Sequence, residues 1–168
     1  PQTDLAVHVR RAFPIERAAE ATPDKNGATF VALAMLIVDK RVGALAGVDP
    51  STIELCRAPA ITILLHSRGD LPKHWALSAA LATGQGKQIA EAMGEWKELV
   101  DSLSKDAEFR QGDPTGFSFI DISADRAGLR AAEAALMTQK ATLMAARLSR
   151  ATQNDILPSA LLAKEEGP

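Results

Sequence analysis

The chain has 168 residues and a mass of 17.8 kDa, enough for one domain and short for two. Hydrophobic residues make up 46%, charged residues 24%, and the formal net charge is −2; these values exclude a disordered or collagen-like chain. With 19 Lys and Arg against 21 Asp and Glu, there is no cationic excess for phosphate contacts, so no nucleic acid is expected as a partner.

The single cysteine, Cys56, excludes an internal disulfide and any multi-Cys zinc site. Alanine is the commonest residue and the best helix former. Aromatic residues are only 4%, with no Tyr, so the core must come from Leu, Ile, Val, Met and Ala, with helices packed closely over small side chains. The chain begins at Pro1, which leaves room for a removed export signal.

In chain order, residues 1–24 combine Pro14 and Pro23 with a short amphipathic run from Leu5 to Phe13. They are expected as a short helix and a turn at the edge of the domain. Asn26 is placed to cap a helix running to about residue 45, because its side-chain oxygen can accept an orphan backbone N–H. The apolar run over 28–38 falls well short of the roughly 20 residues a membrane span needs. Residues 60–66, Ala-Ile-Thr-Ile-Leu-Leu-His, suit a short strand or a buried helix equally.

Asp70 as cap and Pro72 in the first turn predict a helix over 71–82. Thr83-Gly84-Gln85-Gly86 then breaks it; this segment lacks the spacing of a phosphate-binding loop. A second helix is predicted over 87–106, with Ile89, Met93, Trp96 and Val100 on one stripe. After a polar loop over 110–115, Ser118 and Asp121 form the pattern of a capping box, opening an Ala-rich helix that could reach residue 151. The tail, 154–168, is expected to pack as a peripheral loop through Ile156, Leu157, Leu161 and Leu162. The expected fold is all-α, a compact single-domain bundle of about five to seven helices spanning 1–168, with 1–24 and 154–168 peripheral.

Three segments concentrate reactive polar side chains. His74 and Ser78 share one helix face, with Asp70 one turn before His74. Glu98 and Asp101 share another, extended by Glu91 and Glu95. Asp121 and Asp125 share a third, on the first turns of their helix. One imidazole with several carboxylates from three helices is a plausible set of ligands for a divalent metal, which would activate a water or polarise a phosphoryl or carbonyl group. In that reading His74, Asp101, Asp121 and Asp125 hold the metal, and Glu98 is the base, paired with His74. The bland reading accounts for the same residues. Asp121 and Asp125 complement a helix dipole, the Glu row is a solvated face, and Arg126 and Lys97 neutralise the cluster. Gly94 and Gly128 then serve close helix contact.

The order His74, then Lys97-Glu98-x-x-Asp101, then a Phe-Ser-rich turn leading to Asp121-x-x-x-Asp125-x-x-Gly128, resembles a pattern in uncharacterised bacterial envelope proteins. It is similar to a family of small lipoproteins and, more loosely, to VanZ-like proteins, over residues 68–130. Where those families open with Asp-Lys-x-x-His, this chain has Asp70-Leu-Pro-Lys-His74. The resemblance implies a helical module at the cell envelope, periplasmic or envelope-associated, with a cytoplasmic location left open, and it supplies no reaction. Two functions are therefore expected from the residues. One is a metal-assisted hydrolase acting on an envelope-related or phosphorylated substrate. The other is a non-catalytic structural or protein-interaction module whose polar cluster is a salt-bridge network.

Overall fold

The computed structural model describes residues 2–57, 61–84 and 119–165. Within them the fold is mostly helical, as the composition implies. The α-helices are Leu5–Ala12 (α1), Pro23–Ile37 (α2), Val42–Leu45 (α3), Pro50–Leu55 (α4), Leu71–Leu81 (α5), Phe119–Leu136 (α6), Ala141–Leu148 (α7) and Gln153–Ile156 (α8). Short 3-10 helices cover Ile15–Glu20 and Ser159–Glu165. Among the described residues, no helix is long and apolar enough to cross a membrane.

A small sheet accompanies the helices. β1 (Gln2–Asp4) and β2 (Thr62–Leu64) pair in parallel, with Gln2 opposite Thr62 and Asp4 opposite Leu64. Within the segment read as strand or helix, Thr62–Leu64 form a strand, and its partner comes from the start of the chain, since parallel strands require a long crossover. Residues 1–24, expected at the edge, carry Leu5 and Val9 into the core, each 0% exposed. Asp4 caps α1 by accepting the Ala6 N–H at 2.7 Å.

α2 begins earlier than the Asn26 cap predicts. Its cap is Thr22, whose hydroxyl accepts the Lys25 N–H at 3.3 Å, with Pro23 in the first turn. Asn26 lies inside the helix, buried, and does different work. Its Nδ2 group donates to the carbonyls of Ala135 at 2.9 Å and Ala141 at 3.1 Å. Those two carbonyls flank the turn that ends α6 at Leu136 and starts α7 at Ala141. The single Ala-rich helix that could reach residue 151 is therefore two helices, pinned at their junction by one side chain from α2.

The core is centred on Trp75, Phe30, Leu5, Leu65, Leu71 and Leu157, all fully buried. Phe13 packs on Phe30 at 5.2 Å between ring centroids, and Phe30 on Trp75 at 6.0 Å, both tilted. Such aromatic pairs add roughly 0.5–1.5 kcal/mol each beyond the area they bury. Ile156 and Leu157 seal the core from the tail, both as the sequence suggests, but the tail is helical over Gln153–Ile156 and Ser159–Glu165 where a loop is expected.

Candidate functional site

The polar cluster exists because α5 and α6 come unusually close. Both helices bury small residues, Ala76, Ala79 and Ala80 on α5 and Ala124, Gly128, Ala132 and Ala135 on α6. A Cβ added to Gly128 would sit 2.0 Å from the Trp75 carbonyl oxygen. Only a residue without a side chain permits that approach. The crossing sets His74 and Ser78, one turn apart on α5, against Asp121 and Asp125, one turn apart on α6.

His74 lies between the two aspartates. Its Nδ1–H donates to Asp125 Oδ1 at 3.2 Å, and its Nε2 is 3.9 Å from Asp121 Oδ2. The Ser78 hydroxyl donates to the same Asp125 oxygen at 2.9 Å. Arg68 supplies a second cation. Its Nη2 donates to Asp121 Oδ1 at 3.2 Å, and its guanidinium also grips both oxygens of Asp70, with Nε at 3.1 Å from Oδ1. The side chains of Asp121 and His74 are only 14% and 22% exposed, so solvent screens these charges weakly.

Charges therefore alternate along a row, Asp70, Arg68, Asp121, His74, Asp125. Burial pulls the His74 pKa down, but the hydrogen bond to Asp125 and the charges of Asp125, Asp121 and Asp70 together outweigh it and leave it raised. Burial pushes Asp70 up, and the hydrogen bond and charge of Arg68 reverse this, leaving its carboxyl below the ordinary value.

Arg68 reaches the row from a tight turn. Leu65 and Arg68 exchange backbone hydrogen bonds at 2.9 and 3.0 Å, and His66 and Ser67 between them have φ of 50° and 65°. That is the geometry of a hairpin turn with both central residues left-handed. Asp70 stands at the start of α5 with Pro72 in the first turn, as the sequence predicts. Its side chain makes no capping hydrogen bond, because Arg68 has taken it.

Of the residues singled out from the sequence, His74, Ser78, Asp121 and Asp125 converge. Glu98 and Asp101, together with Glu91, Gly94, Glu95, Lys97 and Ser118, lie outside the described residues. Of the two cations expected to neutralise the cluster, Lys97 lies outside the described residues and Arg126 is exposed on α6; Arg68 meets Asp121 instead. Its spacing two residues before Asp70 was the available signal. Of the aromatic residues near the cluster in sequence, Trp75 stacks in the core and Phe119 is 79% exposed, while Trp96, Phe109 and Phe117 lie outside the described residues.

Chemically, Nδ1 of His74 is oriented by Asp125, as in a catalytic dyad, yet Ser78 donates to Asp125 and so is not set as a nucleophile on the imidazole. The donor set of a metal site is also partly spoken for, with Asp121 on Arg68 and Asp125 on His74 and Ser78. Among the described residues, no group of three His, Cys, Asp or Glu side chains is arranged to hold a metal ion. Comparison with family models, with curated proteins and with solved structures finds no match for this chain.

Proposed function

We propose that the protein is a non-catalytic helical interaction module, in which the row from Asp70 to Asp125 is an ionic lock fixing how α5 crosses α6. One observation supports this reading above the others: each of the three aspartates in the row is met by a hydrogen-bond donor from Arg68, His74 or Ser78. A catalytic or metal site keeps a ligand or a proton acceptor open, whereas a lock satisfies its charges internally. The place at the bacterial cell envelope is proposed from the resemblance over residues 68–130 alone.

The competing proposal is a metal-assisted hydrolase with a metal on His74, Asp101, Asp121 and Asp125 and Glu98 as base. It is favoured by the convergence of His74, Asp121 and Asp125 at one crossing. Melting curves separate the two, recorded in EDTA and then with Mg, Mn, Ca or Zn added, alongside phosphatase, esterase and glycosidase substrates. The lock predicts unchanged melting and no turnover. A metal-specific rise lost in His74→Ala would overturn it, because a ligand bound only to the native state stabilises by mass action.

A further inference from the structure

We infer that the outward face of α6 binds a second copy of this chain, with the two helices antiparallel about a two-fold axis close to Leu129. α6 buries one side against α5 and α2 through Ile120, Ala124, Gly128, Ala132 and Ala135. The opposite side carries Phe119, Ile122, Arg126, Leu129 and Glu133, all exposed and spaced 3, 4, 3 and 4 apart. That is the spacing of a seam along which one helix meets another, and here it faces away from the core.

Single apolar side chains on a surface are ordinary; these are grouped. Among the described residues seven large hydrophobic side chains are exposed. Three of them, Phe119, Ile122 and Leu129, lie on this one row, and a fourth, Met137, stands just beyond the end of α6. Exposed apolar side chains grouped in this way beside charged ones mark a contact surface.

The two charged members of the row select the occupant. Arg126 and Glu133 are two helical turns apart, about 10 Å along the axis, with Leu129 between them. Among the described residues neither enters an ion pair, within α6 or with another element. A second α6 running in the same direction would set Arg126 on Arg126 and Glu133 on Glu133. Running in the opposite direction, it sets each Arg126 against Glu133 of its partner, twice, with Leu129 meeting its own counterpart on the axis. A surface that complements itself under a two-fold rotation is what a symmetric dimer requires, and the like-charge contacts of the parallel alternative fix the orientation. Arg130 flanks the row at its rim, where water screens its charge.

Confined to one helix per copy, the contact falls below roughly 1,200 Å² in total, the class of weak and transient associations. The inference rests on the reading of the chain as an interaction module and names its partner. It uses no residue of the ionic row, so failure of the dimer and failure of the lock are read in different experiments.

The test is sedimentation equilibrium of the full chain from about 5 μM to about 1 mM, a range that brackets the affinity of so small a contact. A reversible monomer–dimer equilibrium with Kd of about 10–500 μM is expected. Leu129→Asp should raise Kd about tenfold or more, by placing a charge at the centre of the contact. Arg126→Glu and Glu133→Arg should each raise it about fivefold or more, by setting like charges face to face. The double variant carrying both reversals should return to within about threefold of the parent, because every charge again meets its opposite. A chain that stays monomeric at the highest concentration, the result if another part of the chain or a different protein covers the face, would overturn the proposal. So would a dimer indifferent to Leu129→Asp, or charge reversals that the double variant fails to rescue.

Discussion

Gly128 of α6 lies against the backbone of Trp75 in α5, so close that a Cβ would stand 2.0 Å from the Trp75 carbonyl oxygen. This contact sets the depth of the crossing, and with it the distances between His74 and the two aspartates. Backbone cannot move aside as a flexible side chain can. Gly128→Ala is therefore expected to cost about 3 kcal/mol, the upper end for overpacking, although alanine is the better helix former. Urea unfolding measures it; a neutral or stabilising result would mean that the helices are free to separate.

Asn26 makes the second prediction. Its Nδ2 group serves two buried carbonyls at the α6–α7 junction. Asn26→Leu removes both hydrogen bonds and strands those oxygens, so a loss of about 2–3 kcal/mol is expected. Amide exchange in the 137–140 turn should accelerate more than in α5, because the opening is local.

Two histidines make stability depend on pH in opposite senses. The folded pKa of His74 is raised above its ordinary 6.5, so its stabilisation is complete below 6.5 and is lost as the pH rises through the folded value. His8 is buried with Nε2 unpartnered among the described residues, and burial, then Arg11, depress its pKa against the opposing charge of Asp4. The unfolded chain takes up that proton more readily, so His8 costs stability as the pH falls below 6.5 toward the folded value.

The melting temperature should therefore decline on both sides of that pH, for different reasons. His74→Gln should flatten the alkaline decline and leave the acid one. His8→Leu should do the reverse, with melting followed from pH 5 to 9. A profile in which either variant flattens the other's side would contradict these assignments.

Parts of this structure could be read from local chemistry, and others could not. The start of α5 is legible because Pro72 is tolerated in the first helical turn and excluded from later ones. His74, Ser78, Asp121 and Asp125 were identifiable as helix-face pairs, since a spacing of four fixes a shared face whatever surrounds it. The end of α6 was hidden because no Gly or Pro marks it; the turn is held from a distance by Asn26. The sheet was half hidden because three-residue strands carry too little alternation to register. The role of Arg68 was hidden because it depends on a hairpin that directs it onto Asp121, a contact 53 residues distant in sequence.

The most direct test of the ionic lock is a double-mutant cycle on its central pair, His74→Gln and Asp125→Asn, measured by urea unfolding at pH 6. Each single change is expected to cost about 1.5–3 kcal/mol, as for hydrogen bonds to charged groups. The pair should be coupled by at least about 1 kcal/mol, with that coupling shrinking as the pH rises through the raised pKa of His74 and its proton is lost. Additive costs at pH 6, or single variants as stable as the parent, would contradict the account and return the cluster to the hydrolase reading.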